Sequence, residues 1–192
     1  MTARTHDLAA ITALGAVIFL EPLRSFTVGT ALMALLFNQI GGILPDIDQP
    51  TAPLWRDLPV GGIIGRVIDK TLGGHRFITH SILGLALFGF LTHLLLTFLH
   101  PIIPKVDVGY VWWAFMIGMV SHLVMDTLTK EGVPWLLPLP IKFGLPPLKE
   151  FRITTGKAVE TWIVFPAILA VDIVFCATHY RVLVLFVHGH LI

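Results

Sequence analysis

The sequence predicts an all-α fold: a polytopic membrane helix bundle of about four to five transmembrane helices with two long connections on one side. Three observations predict it. The chain is 55% hydrophobic and only 13% charged, with a mean hydropathy of +0.83, too apolar for an ordinary soluble domain. Apolar runs of about 20 residues recur, the length an α-helix needs to cross the hydrocarbon core. Proline and glycine cluster between these runs, where they end helices. At 192 residues the chain suits a single integral membrane domain spanning 1–192.

The first run, Leu8–Leu20, is short for a crossing and reads as a retained short or tilted helix. Arg4 ahead of it resembles the start of a signal peptide, but Phe19-Leu20-Glu21-Pro22 lacks the small residues of a cleavage site. Phe26–Leu44 is a clearer span, with Asn38 and Gln39 as its polar positions. These two could join helices by hydrogen bonds or support a nearby site. Thr51–Phe77 is a polar connection with a short helix expected near Ile63–Lys70. Ile78–Leu99 spans next, and Pro101 and Pro104 close it. Val108–Leu128 follows, with Trp112 and Trp113 near its entry as interfacial anchors. Thr129–Ala158 is the second long connection, broken by five prolines from Pro134 to Pro147. Val159–Ala177 is the last span, with a kink expected at Pro166, and Arg181–Ile192 is too short to cross again. His93 and Asp172 fall mid-span, where they could pair with each other.

Five spans put alternate connections on opposite sides. One side then receives 10 of the 13 Lys and Arg residues, so by the positive-inside rule it is cytoplasmic. The net charge of +1 gives no reason to expect direct nucleic-acid binding. The single cysteine, Cys176, excludes an intramolecular disulfide framework and a cysteine-rich zinc site.

Histidines and carboxylates collect on that same side. His6 precedes the first helix, and Asp46 and Asp48 leave the second. His75 and His80 flank entry to the third, His122 and Asp126 close the fourth, and Glu160 opens the fifth. His122 and Asp126 have the i, i+4 spacing that makes side chains neighbours on one helix face, so both can reach one metal. Such a pair inside an apolar run is costly unless paired, wetted or metal-bound. A neutral histidine hydrogen-bonded to the aspartate accounts for that pair equally well. Leu44-Pro45-Asp46-Ile47-Asp48-Gln49-Pro50 reads as extended, because each proline disfavours helix in the residue before it. In an extended chain Asp46 and Asp48 point the same way and form a paired-oxygen site. Thr79 or Ser81 is positioned to cap the helix that follows.

Three ordered motifs carry a family resemblance. They are Leu44-Pro45-Asp46-Ile47-Asp48-x-Pro50, Gly74-His75-Arg76-x-x-Thr79-His80-Ser81, and Ser121-His122-Leu123-x-x-Asp126-x-Leu128-Thr129-x-x-Gly132-Val133-Pro134. With them the chain resembles the LexA-binding, inner-membrane-associated hydrolases, also called membrane-bound metal-dependent hydrolases, from His6 to about Glu160. Phe77 stands where that family usually has glycine. The order of an early His, an Asp, a His, His-x-x-x-Asp and a late Glu also resembles zinc-dependent phospholipase C.

The resemblance implies a multi-pass protein of the bacterial inner membrane with a metal-dependent hydrolase site at the cytoplasmic face. Expected metal ligands are His6, Asp46, Asp48, His75, His80, His122 and Asp126. Mixed imidazole and carboxylate donors suit zinc first and manganese second. Glu160 is the expected proton acceptor and Arg76 the expected partner of a substrate phosphate. Expected partners are the lipid bilayer, a lipid-like phosphoester substrate and, from the family's name, a cytoplasmic regulator. Two other classes fit the same residues: a transporter or metal-binding channel, and a non-catalytic membrane scaffold holding a structural metal.

Overall fold

The computed structural model describes residues 1–20, 27–56, 58–74, 76–139 and 141–191. Among these residues seven α-helices form: α1 (Ala3–Leu20), α2 (Val28–Ile43), α3 (Pro53–Arg56), α4 (Gly61–Thr71), α5 (Ile82–Leu99), α6 (Val108–Thr127) and α7 (Phe165–Leu191). No β-strand occurs among the described residues. Two isolated bridges, Thr129 to Ile153 and Val133 to Phe143, tie the second long connection together. Among the described residues four segments are long and apolar enough to cross a membrane: Val28–Asp48, Ile82–Leu99, Val108–Thr127 and Glu160–Arg181.

Side-chain caps explain where the spans start. Thr27 Oγ1 accepts the Thr30 amide at 3.1 Å, and Ser81 Oγ accepts the Gly84 amide at 3.1 Å. Asp107 Oδ1 accepts the Gly109 and Tyr110 amides at 2.9 and 3.2 Å. Ser81 is therefore the cap of α5, and Thr79 is left for another role.

The core lies between α2, α5 and α6, where Phe37, Leu96, Val111, Phe115 and Met119 are buried together. Small residues bring α2 and α6 backbone to backbone. A Cβ on Gly41 meets the Phe115 carbonyl, and one on Gly118 meets the Asn38 carbonyl. Membrane helices pack closely in this way because lipid removes the hydrophobic gain that larger side chains bring in water.

Three expectations change. The first helix begins at Ala3, five residues before the apolar run, so His6 is helical. The last helix continues through the tail to Leu191. Its entry is a π-helical turn, Glu160–Val164, in which the Phe165 amide reaches back to the Glu160 carbonyl. Pro166 gives the reason, since its ring crowds the preceding turn and it has no N–H to donate. His93 is exposed on α5, and Asp172 Oδ2 on α7 has no hydrogen-bond partner, so the pairing open to these two does not form. Asn38 Nδ2 donates to the Ala114 carbonyl at 3.0 Å, and Gln39 Nε2 to the Asp7 carbonyl at 3.3 Å. Both therefore join helices, the first of the two roles open to them.

Candidate metal centre

The start of α1, the end of α2, the start of α5 and the end of α6 meet at one end of the bundle. That end holds the ligand candidates. Asp46, His80, His122 and Asp126 each present a ligand atom, and these atoms lie within 4.8 Å of one another. His80 Nε2 is 3.8 Å from Asp46 Oδ1 and 3.5 Å from Asp126 Oδ2. His122 Nε2 is 3.6 Å from Asp46 Oδ1 and 3.8 Å from Asp126 Oδ2. Tetrahedral ligands at zinc distances of about 2.0–2.1 Å stand roughly 3.3 Å apart, so this set needs only a small contraction to close on a metal. Both nitrogens and both oxygens suit zinc or manganese and are a poor match for calcium, which takes six or more oxygens.

The bonds behind each ligand fix its orientation. His122 Nδ1 is 2.6 Å from the Gly42 carbonyl, which can only accept, so Nδ1 carries the proton and Nε2 faces the cluster with its lone pair. His122 Nε2 is buried and has no hydrogen-bond partner. A buried polar atom without a partner is costly, and a metal resolves that cost. His80 Nδ1 lies 2.9 Å from Thr79 Oγ1, and Thr79 Oγ1 in turn donates to Asp48 Oδ2. Burial lowers the pKa of His80, but the neighbouring carboxylates of Asp126 and Asp48 outweigh it and hold the imidazole above its ordinary value.

The two aspartates of the 44–50 segment divide. Leu44–Asp48 is a 3₁₀ turn, with Pro45 in its first turn and the Gln49 amide bonded to the Asp46 carbonyl at 2.9 Å. Their side chains therefore do not point the same way, as an extended strand requires. Asp46 joins the ligand cluster, whereas Asp48 sits behind His80 and accepts the Arg76 amide at 3.0 Å. Asp46 is 24% exposed and the other three are fully buried, so the cluster opens to solvent at Asp46.

His6 stacks on His122, ring centroids 3.7 Å apart, and its Nε2 is 3.3 Å from Asp126 Oδ1. Neither of its ring nitrogens has a hydrogen-bond partner. Burial, and then the neighbouring His122 ring, push its pKa down to about 3, which keeps it neutral as a metal ligand must be. The Met1 amino group also contacts Asp126 Oδ1. His75 lies outside the described residues.

Arg76 and Glu160 are committed elsewhere. Arg76 has φ +59°, a left-handed conformation that costs a non-glycine residue energy and persists only where surrounding bonds impose it. Those bonds are present. Arg76 Nη2 is 2.5 Å from Asp126 Oδ2, and Nη1 donates to Thr129 Oγ1 at 2.9 Å. Its guanidinium thus neutralises a ligand candidate. Glu160 Oε1 accepts from the Thr2 amide, Thr2 Oγ1 and Thr5 Oγ1 at 2.6 to 2.7 Å, and Oε2 accepts the Gly156 amide at 2.7 Å. It ties the first turn of α1, which carries His6, to the entry of the last span. It does not reach the four-residue cluster. Thr79, Thr129 and the Gly42 carbonyl were not foreseen. The sequence signals for them were the motif positions of Thr79 and Thr129 and the place of Gly42 beside the helix-contact Gly41.

The second long connection folds back on this end of α6. Gly132 has φ +68°, and a Cβ there meets the Phe143 carbonyl, so glycine is required at that turn. Trp135 Nε1 and the Leu145 amide both bond Thr127, its side chain and its carbonyl respectively, at 2.9 and 2.8 Å. A cavity of about 730 Å³ lies on the α1–α6–α7 seam, is almost wholly apolar, and holds none of the cluster residues.

A family model described as YdjM inner membrane protein matches residues 1–189. The chain is 30% identical over 146 residues to an uncharacterized protein of Bacillus subtilis (strain 168), YvsG, covering 76% of this chain and 79% of that one. It is 36% identical over 109 residues to the inner membrane protein YdjM of Escherichia coli (strain K12), and to that of Shigella flexneri. Each of these two matches covers 54% of this chain and 48% of the relative, about half its length. No solved structure matches.

Proposed function

The chain belongs to the YdjM inner membrane protein family and is a multi-pass protein of the inner membrane, and from that premise we propose that it is a metal-dependent hydrolase acting at the membrane face. The observation that carries this reading is the convergence of Asp46, His80, His122 and Asp126, from three separate helix ends, on one point. Asp46, His80, His122 and Asp126 would hold a divalent metal, zinc first and manganese second, which would supply Lewis acidity and lower the pKa of a water there.

The protein's own residues do the rest. His122 and His80 are held with Nε2 inward by Gly42 and by the Thr79–Asp48 pair. Arg76 balances the charge of Asp126. Asp46 marks the solvent side, where substrate enters. The face is cytoplasmic by the distribution of Lys and Arg. A site at the end of a membrane bundle suits a phosphoester of a lipid or amphiphile, its apolar part in the bilayer and its ester at the boundary.

The test is elemental analysis of detergent-purified protein, followed by a panel of phospholipids and lipid phosphates with and without chelator. About one bound zinc or manganese per chain and chelator-sensitive phosphate release are expected. Protein that retains no metal, even after reconstitution with either ion, overturns the proposal.

A further inference from the structure

Helix α4 is amphipathic in an inverted sense. Its glycine edge faces the protein: Cβ atoms on Gly61 and Gly65 meet Trp55, and that on Gly65 also meets Pro50. Its apolar residues face outward. Ile63 is 61% exposed, Val67 59% and Ile64 39%. At about 100° per residue these three fall within one arc of roughly 100°, the width of stripe that a helix normally turns toward a core. Arg66 and Lys70, both exposed, border that arc on the Ile63 side, while Gly62 and Asp69 lie opposite it. No other described segment covers the stripe.

The position of α4 says what does cover it. It packs on α3 and on the 3₁₀ turn Leu44–Asp48, which is the terminal turn of a membrane span. The stripe is therefore at the level where hydrocarbon gives way to headgroups. We propose that α4 is an interfacial helix that inserts Ile63, Ile64 and Val67 into the leaflet on the site's side of the membrane, with Arg66 and Lys70 paired to anionic headgroups. A short helix with an apolar stripe and flanking Arg and Lys is built to lie in that plane. Because the same turn carries Asp46 and Asp48, the insertion holds that turn at headgroup depth.

The test uses full-length protein with Cys176→Ser, spin-labelled at Ile63→Cys, Val67→Cys or Gly62→Cys, in phosphatidylcholine nanodiscs with and without phosphatidylglycerol. A Cβ at Gly62 meets nothing within 4 Å, so that label serves as the water-facing reference. Oxygen is expected to relax the labels at 63 and 67 more strongly than a water-soluble nickel chelate, and the reverse is expected at 62. In the anionic discs, reversing both charges (R66E, K70E) is expected to move the labels at 63 and 67 toward water. Nickel access at 63 and 67 equal to that at 62 overturns the proposal. So does exclusion of both reagents, which means a protein partner covers the stripe. Depths unchanged by charge reversal overturn the headgroup pairing.

Discussion

The His122 ring donates its Nδ1 proton to the Gly42 carbonyl at 2.6 Å, which turns Nε2 toward Asp46 and Asp126. One bond between α6 and α2 therefore sets both the tautomer and the aim of a ligand. The carbonyl is available because α2 and α6 approach so closely here that no side chain separates them.

Replacing His122 or Asp126 by alanine is expected to leave purified protein without stoichiometric metal, because each supplies one of four donors and neither has a substitute within the cluster. Plasma-mass-spectrometric metal content of the two variants, beside wild type purified identically, is the measurement. Wild-type metal in either variant removes the pair from the site.

Thr79→Val tests the support behind a ligand. The hydroxyl links Asp48 to His80 Nδ1, so its loss leaves the ligand in place and frees the ring. Supporting contacts of this kind typically change metal affinity about 10–100-fold. Competition with a chelator of known affinity should show a fall in that range. An unchanged affinity means that Thr79 serves only the fold.

The spans and the convergence of ligands were legible because both follow from simple periodicities. Runs of about 20 apolar residues give the crossings, and alternation of sides then brings His6, Asp46, His80, His122 and Asp126 to one end. What escaped was local geometry. Pro45 and Pro50 argue against an α-helix but do not distinguish an extended chain from a 3₁₀ turn, so the sequence pairs two aspartates that the fold divides between the cluster and the back of His80. The engagement of Arg76 with Asp126 is hidden because nothing in a sequence reveals that a non-glycine residue has positive φ. The bonds of Glu160 are hidden because its donors, Thr2 and Thr5, are more than 150 residues away.

Gly118→Leu is expected to force α2 and α6 apart, because even a Cβ at that position meets the Asn38 carbonyl. Overpacking of this kind typically costs about 1–3 kcal/mol. The effect should appear twice: as a lower melting temperature in detergent, and as weaker metal binding, since the Gly42 carbonyl that aims His122 moves with α2. A melting temperature equal to wild type means that the helices do not meet at these glycines.

Arg76→Ala separates charge balance from coordination. Arg76 Nη2 is 2.5 Å from Asp126 Oδ2, and both side chains are buried. Removing one partner of a buried pair typically costs about 3–5 kcal/mol when the other charge is left uncompensated, and the loss here is smaller because the Met1 amino group stays on Asp126 Oδ1. A divalent cation at the cluster compensates the same carboxylate. Zinc is therefore expected to raise the melting temperature of the alanine variant more than that of wild type, with chelator reversing the gain. Arg76→Lys keeps the charge but not the planar fork that reaches both Asp126 and Thr129, so it should recover only part of the loss. Thermal melts of the three proteins, each with chelator and with zinc, measure this. Equal zinc shifts in all three are the result that separates Arg76 from the metal's charge balance.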